Sequence, residues 1–261
     1  PCAAYGMTAA RDTAMVDYLG YRKKIGIVVP STNTTCQPEC ELLRPAGVTN
    51  HVARITIVER PLTSDQAFLE HVKAMREGIR GAIDQVMTCQ PDHLIMGVAL
   101  EAFWGGIAQA DALQSELMQR AGVGVSMGST ATVAALRKLG AKTIAILTPH
   151  QPRGDAMVQG YFEEDGFTVK RLIGLKCSSP MRIAHTTEAE LIGALRQLDG
   201  DDIDAIVQVG TNLPAAKLAA EAERWFGKPV LAINTVTYWD ALRRCGIDDR
   251  ITGYGSILEK F

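Results

Sequence analysis

The sequence predicts an α/β protein of two similar halves, each built on a parallel sheet, related by pseudo-twofold symmetry with the active site between them. Three observations carry this. Short runs rich in Ile, Val and Leu alternate with amphipathic stretches along the whole chain. That alternation is the signature of βαβ units with right-handed crossovers. The opening run, Ile25-Gly-Ile-Val-Val-Pro30, is matched near mid-chain by Thr143-Ile-Ala-Ile-Leu-Thr-Pro149, each followed by polar residues. The stretches closing the halves match too, Leu136-Arg-Lys-Leu-Gly140 against Leu242-Arg-Arg-Cys-Gly246. The chain is thus expected to form two Rossmann-like halves at 23–127 and 128–250, with an N-terminal extension at 1–22. A C-terminal tail at 251–261 is expected to pack back on the first half.

In chain order, strands are expected at 25–29, 52–58, 93–96, 123–126, 143–147, 168–173, 205–209 and 230–233. These apolar runs suit strands covered on both faces. Helices are expected at 65–89, 107–121, 130–139, 154–165, 187–198, 215–226 and 236–245. Thr187 with Glu190 forms a capping box. Gly140 and Gly246 stand where a helix ends on a left-handed residue. An Asp precedes the third strand of each half, Asp92 leading to Gly97 and Asp204 to Gly210, with a one-residue slip between them.

Composition narrows the function. The 261 residues are 47% hydrophobic and 21% charged with a net charge of −2, which gives no electrostatic case for nucleic acid or an anionic membrane. No apolar stretch is long enough to span a bilayer. The N-terminal residues carry Arg11, Asp12 and Asp17 and do not read as a signal peptide. Six irregularly spaced cysteines do not make a secreted disulfide framework, so a cytoplasmic location is expected.

In open parallel sheets ligands bind beyond the carboxyl ends of the strands, which directs attention to the loops at 30–35, 97–106, 149–153 and 210–214. Ser31, Asn33 and their hydroxyl neighbours offer an anion cradle for a carboxylate or phosphate. Helix capping is the other reading of these residues, and strand-end position favours ligand contact for Asn33. For Ser129-Thr130 and Asn234-Thr235 capping is favoured. Cys36 and Cys40 share a helix face without further ligands for a metal, and a core role is favoured; Cys2, Cys89 and Cys245 are expected to do no chemistry. His150, after Pro149, suits a general acid or base, or a surface histidine. Glu101 reads as a carboxylate base or as a solvated helix-start residue. Phe103 and Trp104 read as pocket wall or core. Cys177 is a leftover thiol in a loop.

At these loops the chain resembles the aspartate/glutamate racemase superfamily, over about residues 23–258. Ile25-Gly-Ile-Val-Val-Pro-Ser-Thr-Asn-Thr-Thr35 resembles the opening motif of maleate cis-trans isomerases. Met96-Gly97, Tyr238-Trp-Asp-Ala-Leu-Arg243 and Gly253-Tyr-Gly255 resemble arylmalonate decarboxylase. The resemblance implies cofactor-free chemistry on a small carboxylate, no metal, and a homo-oligomer. It also implies one or two catalytic cysteines, whose positions here are taken by Gly97 and Gly210. Val98 and Ala99 replace the decarboxylase's hydroxyl donors, His150 replaces a tyrosine, and Asn33 is retained. Without those thiols, ordinary racemisation and isomerisation by thiolate addition lose their nucleophile. His150, Glu101 and Cys177 are the groups left to move protons. Ser31, Asn33, Gly97, Val98, Ala99, Gly210, Thr211 and Asn212 are left to bind substrate. The expected activity is a lyase or decarboxylase-like reaction through a stabilised enolate or tetrahedral anion. Hydrolysis of an amide or ring-opened heterocyclic carboxylate, maleate-type isomerisation, and an inactive carboxylate-binding protein are the alternatives.

Overall fold

The computed structural model describes residues 16–261; Cys2 and the first fifteen residues of the expected N-terminal extension lie outside the described part. The first half runs β1 (Lys23–Pro30), α1 (Cys36–Leu42), β2 (Val48–Ile55), α2 (Asp65–Met87), β3 (His93–Met96), α3 (Leu100–Phe103), α4 (Gly106–Ala121) and β4 (Gly124–Met127), and α5 (Gly128–Leu139), beyond the expected boundary at 127, leads into the second. The second runs β5 (Thr143–Thr148), α6 (Pro152–Glu164), β6 (Thr168–Gly174), α7 (Pro180–Ile183), α8 (Glu188–Leu198), β7 (Ala205–Gln208), α9 (Ala216–Phe226), β8 (Val230–Ala232) and α10 (Ile233–Arg244). A short α11 (Ser256–Lys260) ends the chain.

Each half has a four-stranded parallel sheet, in the order β2-β1-β3-β4 and β6-β5-β7-β8. The identical order is the predicted duplication. β5 shows why its sequence is apolar throughout: Ile144 and Ile146 face one core, Ala145 and Leu147 the other. Successive side chains point to opposite faces, and both faces are covered. The larger core runs through both halves, from Ile27 and Ile95 to Ile146, Phe162 and Leu242.

Some boundaries differ from expectation. β2 begins at Val48, not near 52, because its polar start, Thr49-Asn50-His51, pairs as an edge strand with Lys24, Ile25 and Gly26. An edge strand needs no continuous apolar run. α1 and α3 are short helices without an amphipathic pattern long enough to read.

The capping assigned to Ser129-Thr130 and Asn234-Thr235 does not occur. α5 and α10 start earlier, at Gly128 and Ile233, without side-chain caps. The two helices begin against each other: a Cβ on Gly128 would lie 2.5 Å from Ile233 Cδ1. A side chain at 128 would have to displace that of Ile233. The cap at Thr187 and Glu190 forms as read. Gly140 and Gly246, with φ of 75° and 73°, end their helices in the left-handed region.

α10 belongs to the second half by chain order but packs on the first sheet, against β3 and β4. Tyr238 Oη donates to Asn50 Oδ1 in β2 at 2.9 Å, and Ser126 Oγ donates to Asp240 Oδ2 at 2.5 Å. The expected tail at 251–261 lies against α10, with Arg243 Nε donating to the Phe261 carbonyl at 2.7 Å. The halves are therefore laced by an element, not by the tail alone. Among the described residues no helix is long and apolar enough to cross a membrane.

Candidate active site

The carboxyl ends of β1, β3, β5 and β7 open into one cleft between the halves, of about 90 Å³. Its floor comes from the loops after these strands. Its sides come from α2, from the segment before it, and from the 177–183 segment of the second half. Leu62, Phe68, Met75, Leu100, Pro180 and Ile183 make the walls apolar. The two covering segments are tied together, since Leu62 N–H donates to the Ser178 carbonyl at 2.8 Å and Met181 N–H to Glu59 Oε2 at 3.2 Å.

Asn33 lines the cleft and also serves the start of α1. Its Oδ1 accepts the backbone N–H groups of Thr35 and Cys36 at 3.0 and 2.9 Å, fastening the start of α1. Its Nδ2 donates to Thr211 Oγ1 at 3.1 Å, across the seam on the cleft floor. Thr211 Oγ1 donates in turn to the Gly97 carbonyl at 3.0 Å. Asn212 Oδ1 accepts from Thr34 N–H at 2.9 Å, and its Nδ2 donates to the Pro180 carbonyl at 2.9 Å. The side chains of Thr211 and Asn212 are thus engaged in joining the halves. What these loops present to the cleft is backbone. Val98, Ala99, Thr211 and Asn212 all line it, and their N–H groups pair with no described residue. Unpaired backbone N–H groups in strand-end turns are donors of the kind that can hold an oxyanion.

Four titratable side chains line this cleft. Glu101, in the first turn of α3, is 2% exposed with Oε1 unpartnered. Burial raises its carboxyl to about 7, against the pull of Arg76. It is no solvated helix-start residue. His150 follows β5 and Pro149; its N–H donates to Thr148 Oγ1 at 3.0 Å, and its Nε2 is buried without a partner. Burial, aided by neighbouring His71, lowers it to about 4, so the ring is neutral at pH 7. His71 of α2 has a buried, unpartnered Nδ1, and burial lowers its pKa as well. Cys177 lines the cleft with Sγ 3.7 Å from Thr186 Oγ1, and burial raises its thiol above the ordinary range. Among the described residues, no lysine or arginine lines the cleft.

Ser31 and Gly97 are not among the lining residues. Ser31 Oγ accepts from Ile57 N–H at 2.9 Å and so anchors the segment after β2. Gly97 sits below the floor, where a Cβ would meet Val29 Cγ1 at 2.6 Å and Cys36 Sγ at 3.1 Å. Gly210 lines the cleft with φ of +136°, and a Cβ there would meet Pro149 Cδ at 2.6 Å. Both glycines are required by close neighbours in this chain. Cys36 and Cys40 are core residues. Phe103 is fully buried among Tyr161 and Phe162, whereas Trp104 stacks on Phe68 behind the wall. No group of three or more His, Cys, Asp or Glu able to hold a metal occurs among the described residues.

Sequence reasoning missed His71, Phe68 and Leu62. His71 lies mid-helix in α2, and nothing in a helical pattern marks which turn a second element will cover. It also missed Glu39, a buried carboxylate that joins α1 to α9.

A model of the arylmalonate decarboxylase family matches residues 25–258. Maleate isomerase from Nocardia farcinica is 25% identical, covering 91% of this chain and 96% of its own. Arylmalonate decarboxylase from Bordetella bronchiseptica is 25% identical over 64% of this chain and 70% of its own. Among solved structures, Nocardia farcinica maleate cis-trans isomerase superposes with a TM-score of 0.84 at 25% identity, covering 91% of this chain and 98% of that one. A crystal structure of arylmalonate decarboxylase gives 0.74 at 19% identity, covering 91% and 100%, a likeness of fold.

Proposed function

The chain belongs to the arylmalonate decarboxylase family, and we propose that it is a cofactor-independent enzyme acting on a small carboxylate through an enolate-like or tetrahedral anion. The observation that carries this reading is the pairing of Glu101 and neutral His150 in one apolar cleft with unpartnered backbone N–H donors. Titratable groups displaced from their ordinary range in a cleft mark candidate chemistry.

In a lyase reaction the bond from the α-carbon to a carboxylate breaks. Its electron pair stays on the substrate, carbon dioxide leaves, and an enediolate remains. The N–H groups of Val98, Ala99, Thr211 and Asn212 hold its oxygens, where a dry site strengthens each bond. Glu101, held protonated near neutral pH by burial, delivers a proton to the α-carbon and is reprotonated from solvent. His150, neutral and with Nε2 free, relays the solvent proton that restores Glu101. Asn33 and Thr211 keep the two N–H turns at a fixed separation.

One observation favours hydrolysis as a second reading: a neutral imidazole with a free Nε2 is the state needed to activate water. Product analysis in oxygen-18 water separates the two, because only hydrolysis puts label into the product. The relatives' names point to cis-trans isomerisation as a third reading. The thiol lining this cleft is Cys177, and its raised pKa keeps it protonated, a poor nucleophile. Conversion of maleate to fumarate, followed by proton NMR, tests it directly.

A thermal-shift screen with malonates, maleate and ureido acids identifies a ligand, since binding to the folded state raises Tm. On a substrate so found, His150→Ala and Glu101→Gln are each expected to lower kcat about 100- to 10,000-fold, the usual weight of a general acid or base. Unchanged turnover in both variants overturns the assignment. Turnover is also expected to be bell-shaped in pH. It falls below about 4 as His150 gains a proton and above about 7 as Glu101 loses one.

A further inference from the structure

Glu101 lies in the wall between two cavities. One is the catalytic cleft. The other is an outer groove of about 660 Å³ between α2 and α4, lined by Lys73, Arg76, Arg80, Glu101, Trp104 and Glu116 among others. The same residue thus lines both the cleft and a charged, open groove.

The charges around Glu101 are unequal in effect. On α2, Lys73 pairs with Glu77 at 3.8 Å, and Arg80 pairs with Glu116 of α4 at 2.7 Å. On α5, Arg137 pairs with Asp165, and Lys138 lies over Phe261. On α6, Arg153 lies over Phe68, Asp155 accepts from Thr148, and Glu164 accepts from Ile107 N–H. His71 and His150 line the cleft with Glu101, and burial keeps both neutral at pH 7. Arg76 differs: it forms no ion pair among the described residues, and its guanidinium sits 5.1 Å over the Trp104 ring. Trp104 is three residues after Glu101, just past α3, and Arg76, Trp104 and Glu101 line the same groove. A cation so placed favours the carboxylate, against the burial that favours the acid.

We propose that Arg76 is the positioning residue for Glu101: stacked on Trp104 in the outer groove, it sets the pH at which Glu101 releases its proton into the reaction. This rests on the assignment of Glu101 as the proton donor. Catalytic power would then depend on a groove that substrate does not enter.

The test follows the Glu101 carboxyl itself. Infrared spectroscopy of the ligand-free protein reads the protonated-carboxyl band that disappears in Glu101→Gln, and this band is titrated against pH. Arg76→Gln is expected to move its midpoint up, by about half a pH unit. Arg76→Lys, which keeps the charge, is expected to move it less than half as far. Arg80→Gln, whose charge is already paired, is expected to leave it unmoved. Trp104→Leu frees the guanidinium from the ring and is expected to raise the midpoint, giving a second reading if Arg76→Gln does not fold. An unmoved midpoint in folded Arg76→Gln, or in folded Trp104→Leu, overturns the proposal. So does a shift in Arg80→Gln as large as that in Arg76→Gln. The band reports protonation whether or not the protein turns over, so this failure is distinct from that of the catalytic reading, which would show as unchanged turnover in Glu101→Gln.

Discussion

Glu101 and His150 are displaced in opposite directions by the same cause. Glu101 ionises near 4.5 in an unfolded chain but near 7 when folded. Its contribution to stability is complete below pH 4.5 and is lost as pH rises through about 7. His150 titrates near 6.5 unfolded and near 4 folded. Its contribution is complete above pH 6.5 and is lost as pH falls through about 4. The two slopes oppose each other over one window, so the wild-type chain is expected to show little net pH dependence from this pair. Glu101→Gln removes one slope. Measured by urea unfolding, this variant should match wild type at pH 4 and gain on it as pH rises, by about 3 kcal/mol at pH 8. A difference that stays flat with pH would reject the assignment of Glu101 as a buried acid. Such a gain with loss of turnover is the usual exchange between stability and function at a site.

At the scale of elements, Glu39 shows how a helix start can be completed from another part of the chain. α9 has no cap of its own. Glu39, on α1, accepts the backbone N–H groups of Ala215 and Ala216 at 2.9 and 2.8 Å through Oε1. Its Oε2 accepts from Asn234 Nδ2, in the first turn of α10, at 2.7 Å. One carboxylate thus joins three helices, and its charge complements the start of α9. Burial raises its pKa, and these three bonds work against that rise. Glu39→Ala leaves buried donors unpaired and is expected to cost about 3 kcal/mol, while Glu39→Gln, which keeps an acceptor, should cost less than half of that. Hydrogen exchange at residues 215 and 216 should quicken in Glu39→Ala. Protection equal to wild type there would show that α9 does not depend on this contact.

For the whole molecule, the seam between the halves is also the cleft floor. Asn33, Thr211 and Gly97 are linked in sequence across it. Thr211→Val keeps the shape of the side chain but removes both bonds, leaving Asn33 Nδ2 and the Gly97 carbonyl without that partner. The expected cost is about 2 kcal/mol, or roughly 4–8 °C in Tm for a chain of this size. Because the bonds set the spacing of the two N–H turns, kcat should fall as well. A loss of Tm with kcat unchanged would separate the seam from the site.

The duplication, the strand order's raw material and the loops that carry the cleft were legible in the sequence because each is local. Buried parallel strands read as apolar runs, Pro30 and Pro149 mark their ends, and Thr187 with Glu190 marks a helix start. Asn33, Glu101 and His150 were found because strand-end loops are where open sheets bind ligands. Only the tertiary structure decided what each of these groups would be chemically. A carboxyl is shifted by the walls around it, and the walls of Glu101 and His150 come from α2 and from the 177–183 segment, distant in sequence. The same holds for His71, for the crossing of α10 onto the first sheet, and for the hydrogen bonds that engage the side chains of Thr211 and Asn212 in the seam. Backbone preference and patterning act over a few residues, so one sequence displays them. Desolvation and hydrogen-bond partnership are properties of a packed neighbourhood, which exists only once the halves have closed on each other.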